Sequence, residues 1–288
     1  RLTWTVLEVF EGVPERKLKR LDSLLDRRPV LPRELLDCAV WMARRYGAPI
    51  RECLRCVLPA FIKDSEESAP VAPRPEAPPP AATFTLTSGQ AQALSSLSDK
   101  LSGRRHGAAL LYGVPASGKT EVYLRLIRQV AASAGQALRL LPEISLTRPF
   151  FDEFSASLDV PVVLWHSKLT ARERRLSWLA LRRGDIKVVV GARSAALLPF
   201  QDLRLIVLDE EQDESFKQEG QSPLYHARDV ALHRGKACGA VVVLGSATPS
   251  LETWEAARRG EIELIAMPDR VSAVARPRTW QCVRSHSL

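Results

Sequence analysis

Three short stretches of this sequence carry residue types suited to phosphate chemistry. From Gly113 to Thr120 the chain reads GVPASGKT, the pattern G-x-x-x-x-G-K-[ST], between an apolar run (AALLY, 108–112) and a segment of helical period, TEVYLRLIRQVAASAG. Glycines at Gly113 and Gly118 let the backbone turn its N–H groups inward around phosphate oxygens, and the N-terminus of the following helix adds positive potential. Lys119 reaches the β- and γ-phosphates, and the Thr120 hydroxyl suits Mg²⁺. About ninety residues further on, LIVLDEEQ ends an apolar run in carboxylates: Asp209 for the Mg²⁺ sphere and Glu210 to orient or deprotonate an attacking water. LGSATPS places Ser246, Ala247 and Thr248 in a polar turn after a Val-rich run, suited to sensing the state of a phosphate. Each stretch has a bland reading, respectively a Gly-rich turn, solvated loop charge and a capped turn. Their succession along one chain favours nucleoside triphosphate hydrolysis.

That chemistry needs a scaffold that brings strand ends together. Six apolar runs fit: 108–112, 137–141, 160–165, 186–191, 203–210 and 240–248, with helical patterns such as TARERRLSWLALRRG between them. Unbroken Val, Leu and Ile strands separated by helices predict an α/β domain with a parallel sheet covered on both faces. The domain is placed at 83–265, with 266–288 left without assigned structure.

Six prolines in APVAPRPEAPPP, between Pro70 and Pro80, mark 64–82 as an extended linker. The segment before it opens in an apolar, β-rich run, LTWTVLEVF, as though part-way through an element, so the sequence reads as a fragment. ERKLKRLDSLLD, RELLDCAVWMARRYG with Pro32 at its first turn, and ECLRCVL then predict three short helices, a winged-helix-like domain over 15–63. Residues 1–63 hold thirteen Lys and Arg against eight Asp and Glu, a surplus of five out of a net charge of +8, which favours a polyanionic partner over a merely solvated basic face. No run of eighteen apolar residues is present, and five scattered cysteines predict reduced thiols in a cytoplasmic protein. Cys53 and Cys56 form a lone CxxC with no second pair at usable spacing, so they are read as core or surface thiols and no zinc is expected.

Taken in order, GVPASGKTEVYL, PEISLT, GARSA, VLDEEQDESFKQ, YHARD and LGSATPSLE resemble the first motor domain of superfamily 2 helicases, in particular the primosomal protein N′ (PriA) family of bacterial replication-restart helicases. The resemblance runs from about Leu86 to about Glu252, and 1–14 and 15–63 are similar to the end of that family's DNA-end-binding domain and its winged-helix domain. It implies a RecA-like P-loop lobe that uses ATP and Mg²⁺. Gln90 would read adenine; Thr147, Arg193 and Ser194 would touch the single-strand backbone. Phe216, Lys217, Tyr225 and Arg228 would lie in an aromatic-rich loop that stacks on bases. Single-stranded and forked DNA, primosome proteins and single-strand-binding proteins are the implied partners.

Two positions depart from the family. Gln212 stands where the family has the His of DEEH, and its amide is expected to bridge to the turn around Thr248 without a titratable ring. The loop EGQSPLYHARD lacks an expected tryptophan. A second RecA-like lobe, its arginine finger and its zinc-binding cysteines are not in this sequence. The isolated chain is therefore expected to turn over ATP weakly or not at all, with 3′ to 5′ unwinding belonging to the full-length protein. The competing readings are a fork-DNA-binding recruitment module that does not unwind, and another superfamily 2 translocase.

Overall fold

The computed structural model describes residues 29–58 and 85–271. The first expected N-terminal helix, the β-rich opening run and the Pro-rich linker lie outside these residues. Two helices precede the α/β portion, α1 (Arg33–Arg45) and α2 (Ile50–Val57), entered through Pro32 and Pro49. The sheet strands are β1 (Gly107–Gly113), β2 (Gln136–Leu140), β3 (Val162–Trp165), β4 (Val188–Gly191), β5 (Leu203–Asp209), β6 (Val241–Ser246) and β7 (Glu263–Met267). Between and around them run α3 (Ser88–Ser102), α4 (Lys119–Ala132), α5 (Arg148–Ala156), α6 (Ala171–Arg183), α7 (Ala227–Cys238) and α8 (Leu251–Arg258).

All seven strands pair in parallel, in the order β3-β4-β2-β5-β6-β1-β7. The fold is α/β, as the unbroken apolar runs predict. Because side chains alternate across each strand, one run supplies two cores. Leu205, Val207, Val241 and Val243 join Tyr123, Leu126 and Ile127 of α4 and Phe154 of α5 on one face. Ile206, Leu208, Val242 and Leu244 join Val230 and Ala231 of α7 on the other. Local signals set the helix ends: Thr87 with Gln90 and Thr170 with Glu173 form capping boxes, and Gly184 ends α6 in the left-handed region (φ 80°).

Strand β7 was not expected from the sequence. ELIAM alternates, with Ile265 and Met267 buried and Leu264 exposed, so this edge strand shows the period-2 pattern of a half-covered surface and not a continuous apolar run. α3 covers it, and Lys100 and Ser96 bond the Glu263 carboxylate at 2.5 and 2.7 Å.

Helices α1 and α2, though separated in sequence from the α/β portion, share its α7-side core through Leu35, Cys38, Met42, Cys53 and Val57. Polar contacts fix that docking. Glu34 of α1 accepts from Nε of Arg234 at 2.8 Å and from its Nη2, while Arg234 Nη1 donates to the Ala196 carbonyl at 2.6 Å. The Trp41 ring stacks on His233 at 4.2 Å. Tyr46 donates its hydroxyl to Asp229 and accepts the His226 N–H, both at 3.2 Å. Cys53 is buried and Cys56 exposed, and both are free thiols.

Candidate nucleotide-binding site

In an all-parallel sheet the carboxyl ends of the strands open onto one edge. The GVPASGKT loop leaves β1 there, Asp209 ends β5, and the Ser246 turn ends β6 between them. Register aligns Tyr112 with Ser246 and Asp209 with Gly245. Two strand spacings, roughly 10 Å, therefore separate the GVPASGKT loop from the acidic strand end.

The loop is built as its glycines require. Gly118 caps α4 with φ 80°, and Ala116, two residues before it, is also left-handed at φ 63°. A Cβ at Gly113 would stand 2.5 Å from Ser117 Oγ. Lys119 is buried and folds back so that its Nζ donates to the Gly113 carbonyl at 2.8 Å. Ser117 Oγ is buried without a hydrogen-bond partner, and Thr120 is exposed on the first turn of α4. An orphaned hydroxyl, a helix N-terminus and a buried ammonium resting on a neutral carbonyl are the donor set a polyphosphate satisfies, so these residues fit a nucleotide with its Mg²⁺. Gln90, buried at the start of α3, donates its Nε2 to the Gly118 carbonyl at 3.3 Å and so sits against the same loop.

Around the acidic turn a chain of hydrogen bonds crosses from β5 to β6. Gln212 Nε2 donates to Glu210 at 2.9 Å, Ser246 Oγ donates to the Gln212 amide oxygen at 2.6 Å, and the Thr248 N–H donates to Ser246 Oγ at 2.9 Å. The Gln212 amide thus reaches the Thr248 turn through Ser246. Glu210 occupies the left-handed region at φ 53°, a strained conformation for a non-glycine residue. Glu211 points away from this chain and is fully buried. Its carboxylate accepts from the Ser250 N–H at 2.8 Å, Ser250 Oγ at 3.1 Å, Thr253 Oγ1 at 2.8 Å and Arg228 Nη1 at 3.3 Å.

The candidate DNA contacts divide. Thr147 is exposed on the loop after β2, where its hydroxyl caps α5 by accepting the Phe150 N–H at 3.4 Å. After β4, Ser194 is exposed and accepts from Trp165 Nε1 at 3.2 Å, while Arg193 donates to the Ser215 carbonyl at 2.9 Å and to that of Lys217. Lys217 is exposed. The expectation for the other three is corrected. Phe216 and Tyr225 have their rings buried in the α7-side core, so neither presents a face for stacking, and Arg228 is spent on Glu211, Ser250 and Thr253.

Three residues of this region were not singled out from the sequence. Arg139, inside the run ALRLL, is buried and pairs with Asp209 at 2.7 Å. Tyr123 of α4 places its hydroxyl against Gly245 with no hydrogen-bond partner, and burial, with the Asp209 carboxylate nearby, holds its pKa well above the ordinary phenol value. Glu211 is the third. A charged residue interrupting an otherwise apolar buried strand is the one sequence signal that pointed to Arg139.

A RecA-like lobe with a phosphate-binding loop and a carboxylate turn flanking β6 defines a P-loop motor domain. Residues 87–257 match the DEAD/DEAH box helicase family, and the chain belongs to it. Residues 4–59 match a 3′DNA-binding domain, across the boundary drawn at residue 14. Within the family the chain is similar to replication restart protein PriA. It is 41% identical to that of Bacillus subtilis over 187 residues, covering 65% of this chain and 23% of that protein. It is 33% identical to that of Treponema pallidum over 264 residues (90% and 39%) and 32% identical to that of Rickettsia conorii over 277 (96% and 41%). The chain thus spans less than half the length of these relatives. Among solved structures, RecG bound to a three-way DNA junction matches with a TM-score of 0.50 at 21% identity, over 67% of this chain and 25% of that one, a likeness of fold.

Proposed function

We propose that the full-length protein is an ATP-dependent DNA helicase of replication restart, moving 3′ to 5′ on single strands, and that this chain supplies its ATP-binding first motor lobe and a DNA-binding domain. One observation carries the reading: the Gly113–Thr120 loop and the Asp209–Gln212 turn open on the same sheet edge, on either side of β6, whose terminal Ser246 bonds Gln212. On this reading the loop amides and Lys119 hold the β- and γ-phosphates, and Gln90 reads adenine. Thr120 and Asp209 hold Mg²⁺, which when bound neutralises phosphate charge. Glu210 orients and deprotonates the attacking water, and Gln212 relays its state through Ser246 to the Thr248 turn. Thr147, Arg193, Ser194 and Lys217 line the single-strand path. The winged-helix-like segment engages forked DNA, beside primosome and single-strand-binding proteins in the cytoplasm. Zinc belongs to a second lobe of the full-length protein, whose closure on ATP gives turnover the isolated chain lacks.

The test is DNA-stimulated ATP hydrolysis and strand separation by the full-length protein on duplexes with 3′ or 5′ single-stranded tails. Hydrolysis stimulated by fork DNA, unwinding from the 3′ tail, and loss of both in Lys119→Ala are expected. Undiminished hydrolysis in that variant, or unwinding from the 5′ tail alone, overturns the assignment; fork binding with no unwinding by the wild type favours the recruitment module instead.

A further inference from the structure

The least ordinary side chain at this sheet edge is Arg139. It is the penultimate residue of β2, paired with β4 on one side and β5 on the other, and is 1% exposed. Its guanidinium lies over three rings, 5.3 Å from that of Tyr123, 5.2 Å from Phe150 and 5.0 Å from Phe154. Only Nη2 has a polar partner, the Asp209 carboxylate at 2.7 Å; Nε and Nη1 are buried and unpartnered. A cation so enclosed depends on one carboxylate for its compensation, with the ring faces adding a smaller share. Asp209 is the acid placed above in the Mg²⁺ sphere, so one carboxylate serves two cations.

We propose that Arg139 is a positioning residue that competes with Mg²⁺ for Asp209, holding the carboxylate neutralised until a metal–nucleotide complex displaces it. This rests on the nucleotide-site reading. The cost of leaving Arg139 without its partner is then charged against every binding event, so the wild type requires more Mg²⁺ than a site whose acid is free. The aromatic cage gives the displaced guanidinium somewhere to remain, since its contacts with Tyr123, Phe150 and Phe154 do not depend on Asp209. An apolar side chain of similar volume fits the same cage without competing.

The test is direct binding of a fluorescent ADP analogue to the 288-residue chain across a Mg²⁺ titration, with no turnover measured. Arg139→Met is expected to lower the half-saturating Mg²⁺ concentration about 5- to 20-fold, the lower part of the usual range for a coupling between two sites. Arg139→Gln keeps a donor for Asp209 without the charge and should move it in the same direction, and it serves if the Met variant does not fold. Arg139→Lys, which keeps the cation, should stay nearest the wild type. Unchanged Mg²⁺ dependence in the folded Met and Gln variants would show a purely structural role, and a higher requirement would show that Arg139 supports the metal-bound geometry; either overturns the proposal while leaving the nucleotide site intact. If the wild type binds the analogue with no Mg²⁺ dependence, or not at all, the site reading fails and this inference with it.

Discussion

Gly245 of β6 lies against the Tyr123 hydroxyl of α4 and the Asp209 carboxylate of β5, so substituting it tests how tightly α4 meets the acidic strand end. A Cβ built on Gly245 would stand 1.7 Å from the Tyr123 hydroxyl oxygen, 2.9 Å from the ring carbon bearing it and 3.4 Å from Asp209 Oδ1. The hydroxyl would have to withdraw by more than about 1 Å to reach ordinary contact, yet Tyr123 is fully buried with Arg139 against its ring. Gly245→Ala therefore overpacks the interior at a cost of about 2 kcal/mol, after allowing for the small entropic benefit of losing a strand glycine. Tyr123→Phe removes a buried hydroxyl that has no partner, so it should stabilise by up to about 1 kcal/mol. In the double variant the nearest atom is the ring carbon at 2.9 Å, which needs a shift of only a few tenths of an ångström. The two substitutions should then couple favourably by about 1–2 kcal/mol. Urea unfolding of the four proteins of the cycle, with unchanged m-values, measures this directly. Additivity within about 0.3 kcal/mol would mean that Tyr123 does not lie under Gly245, and the link from α4 to the acidic turn would have to be abandoned.

Glu34→Ala should cost about 3–5 kcal/mol in the same assay, because Arg234, 1% exposed, loses its carboxylate and keeps only the Ala196 carbonyl; Glu34→Leu with Arg234→Met should recover most of that. Arg228→Ala should lower stability by about 2–3 kcal/mol, since it leaves the buried Glu211 with hydroxyl and amide donors alone, whereas Lys217→Ala should leave stability within about 0.5 kcal/mol and weaken single-strand DNA binding, checked by fluorescence anisotropy. Burial lowers the pKa of both His226 and His233, so the folded chain binds fewer protons than the unfolded one. Stability is then full above the ordinary histidine range and falls as pH drops through it toward the lower folded values. His226→Asn, which keeps an acceptor for the Arg228 N–H that His226 Nδ1 now takes at 3.1 Å, should flatten that slope in thermal melts between pH 7 and 5.

The parts of this fold written in apolar residues were legible and the parts written in polar ones were not. Six of the seven strands fall on the runs read from the sequence: the five inner ones because a strand covered on both faces is continuously apolar, and the half-buried edge strand β3 because its run is unbroken as well. The seventh is an edge strand with one face open, where alternation over five residues is hard to separate from a loop. The turn from Gly113 to Thr120 was legible for another reason: its glycines answer to backbone geometry alone, as the left-handed Gly118 shows. Site residues whose placement depends on long-range partners were misread. Phe216, Tyr225 and Arg228 look like an exposed binding loop when taken by themselves, but α1 and α2 seal that side of α7, and the rings join the core they create.

Arg139 and Asp209 make the limit physical. They are seventy residues apart in sequence, and what makes them partners is that β2 and β5 are neighbours in the sheet while their side chains emerge on the same face, a parity that holds because Arg139 aligns with Val207, two residues before Asp209. A shift of one residue in the pairing of β2 with β5 would turn one of the two to the opposite face, leaving a buried guanidinium against apolar side chains and the strand-end acid without its cation. The salt bridge therefore requires one register of β2 with β5, while the separate pairing of β5 with β6 sets Asp209 beside Gly245. Strand pairing alone brings the acid and the guanidinium together, which is why neither could be weighed from the sequence of β2 or of β5 alone.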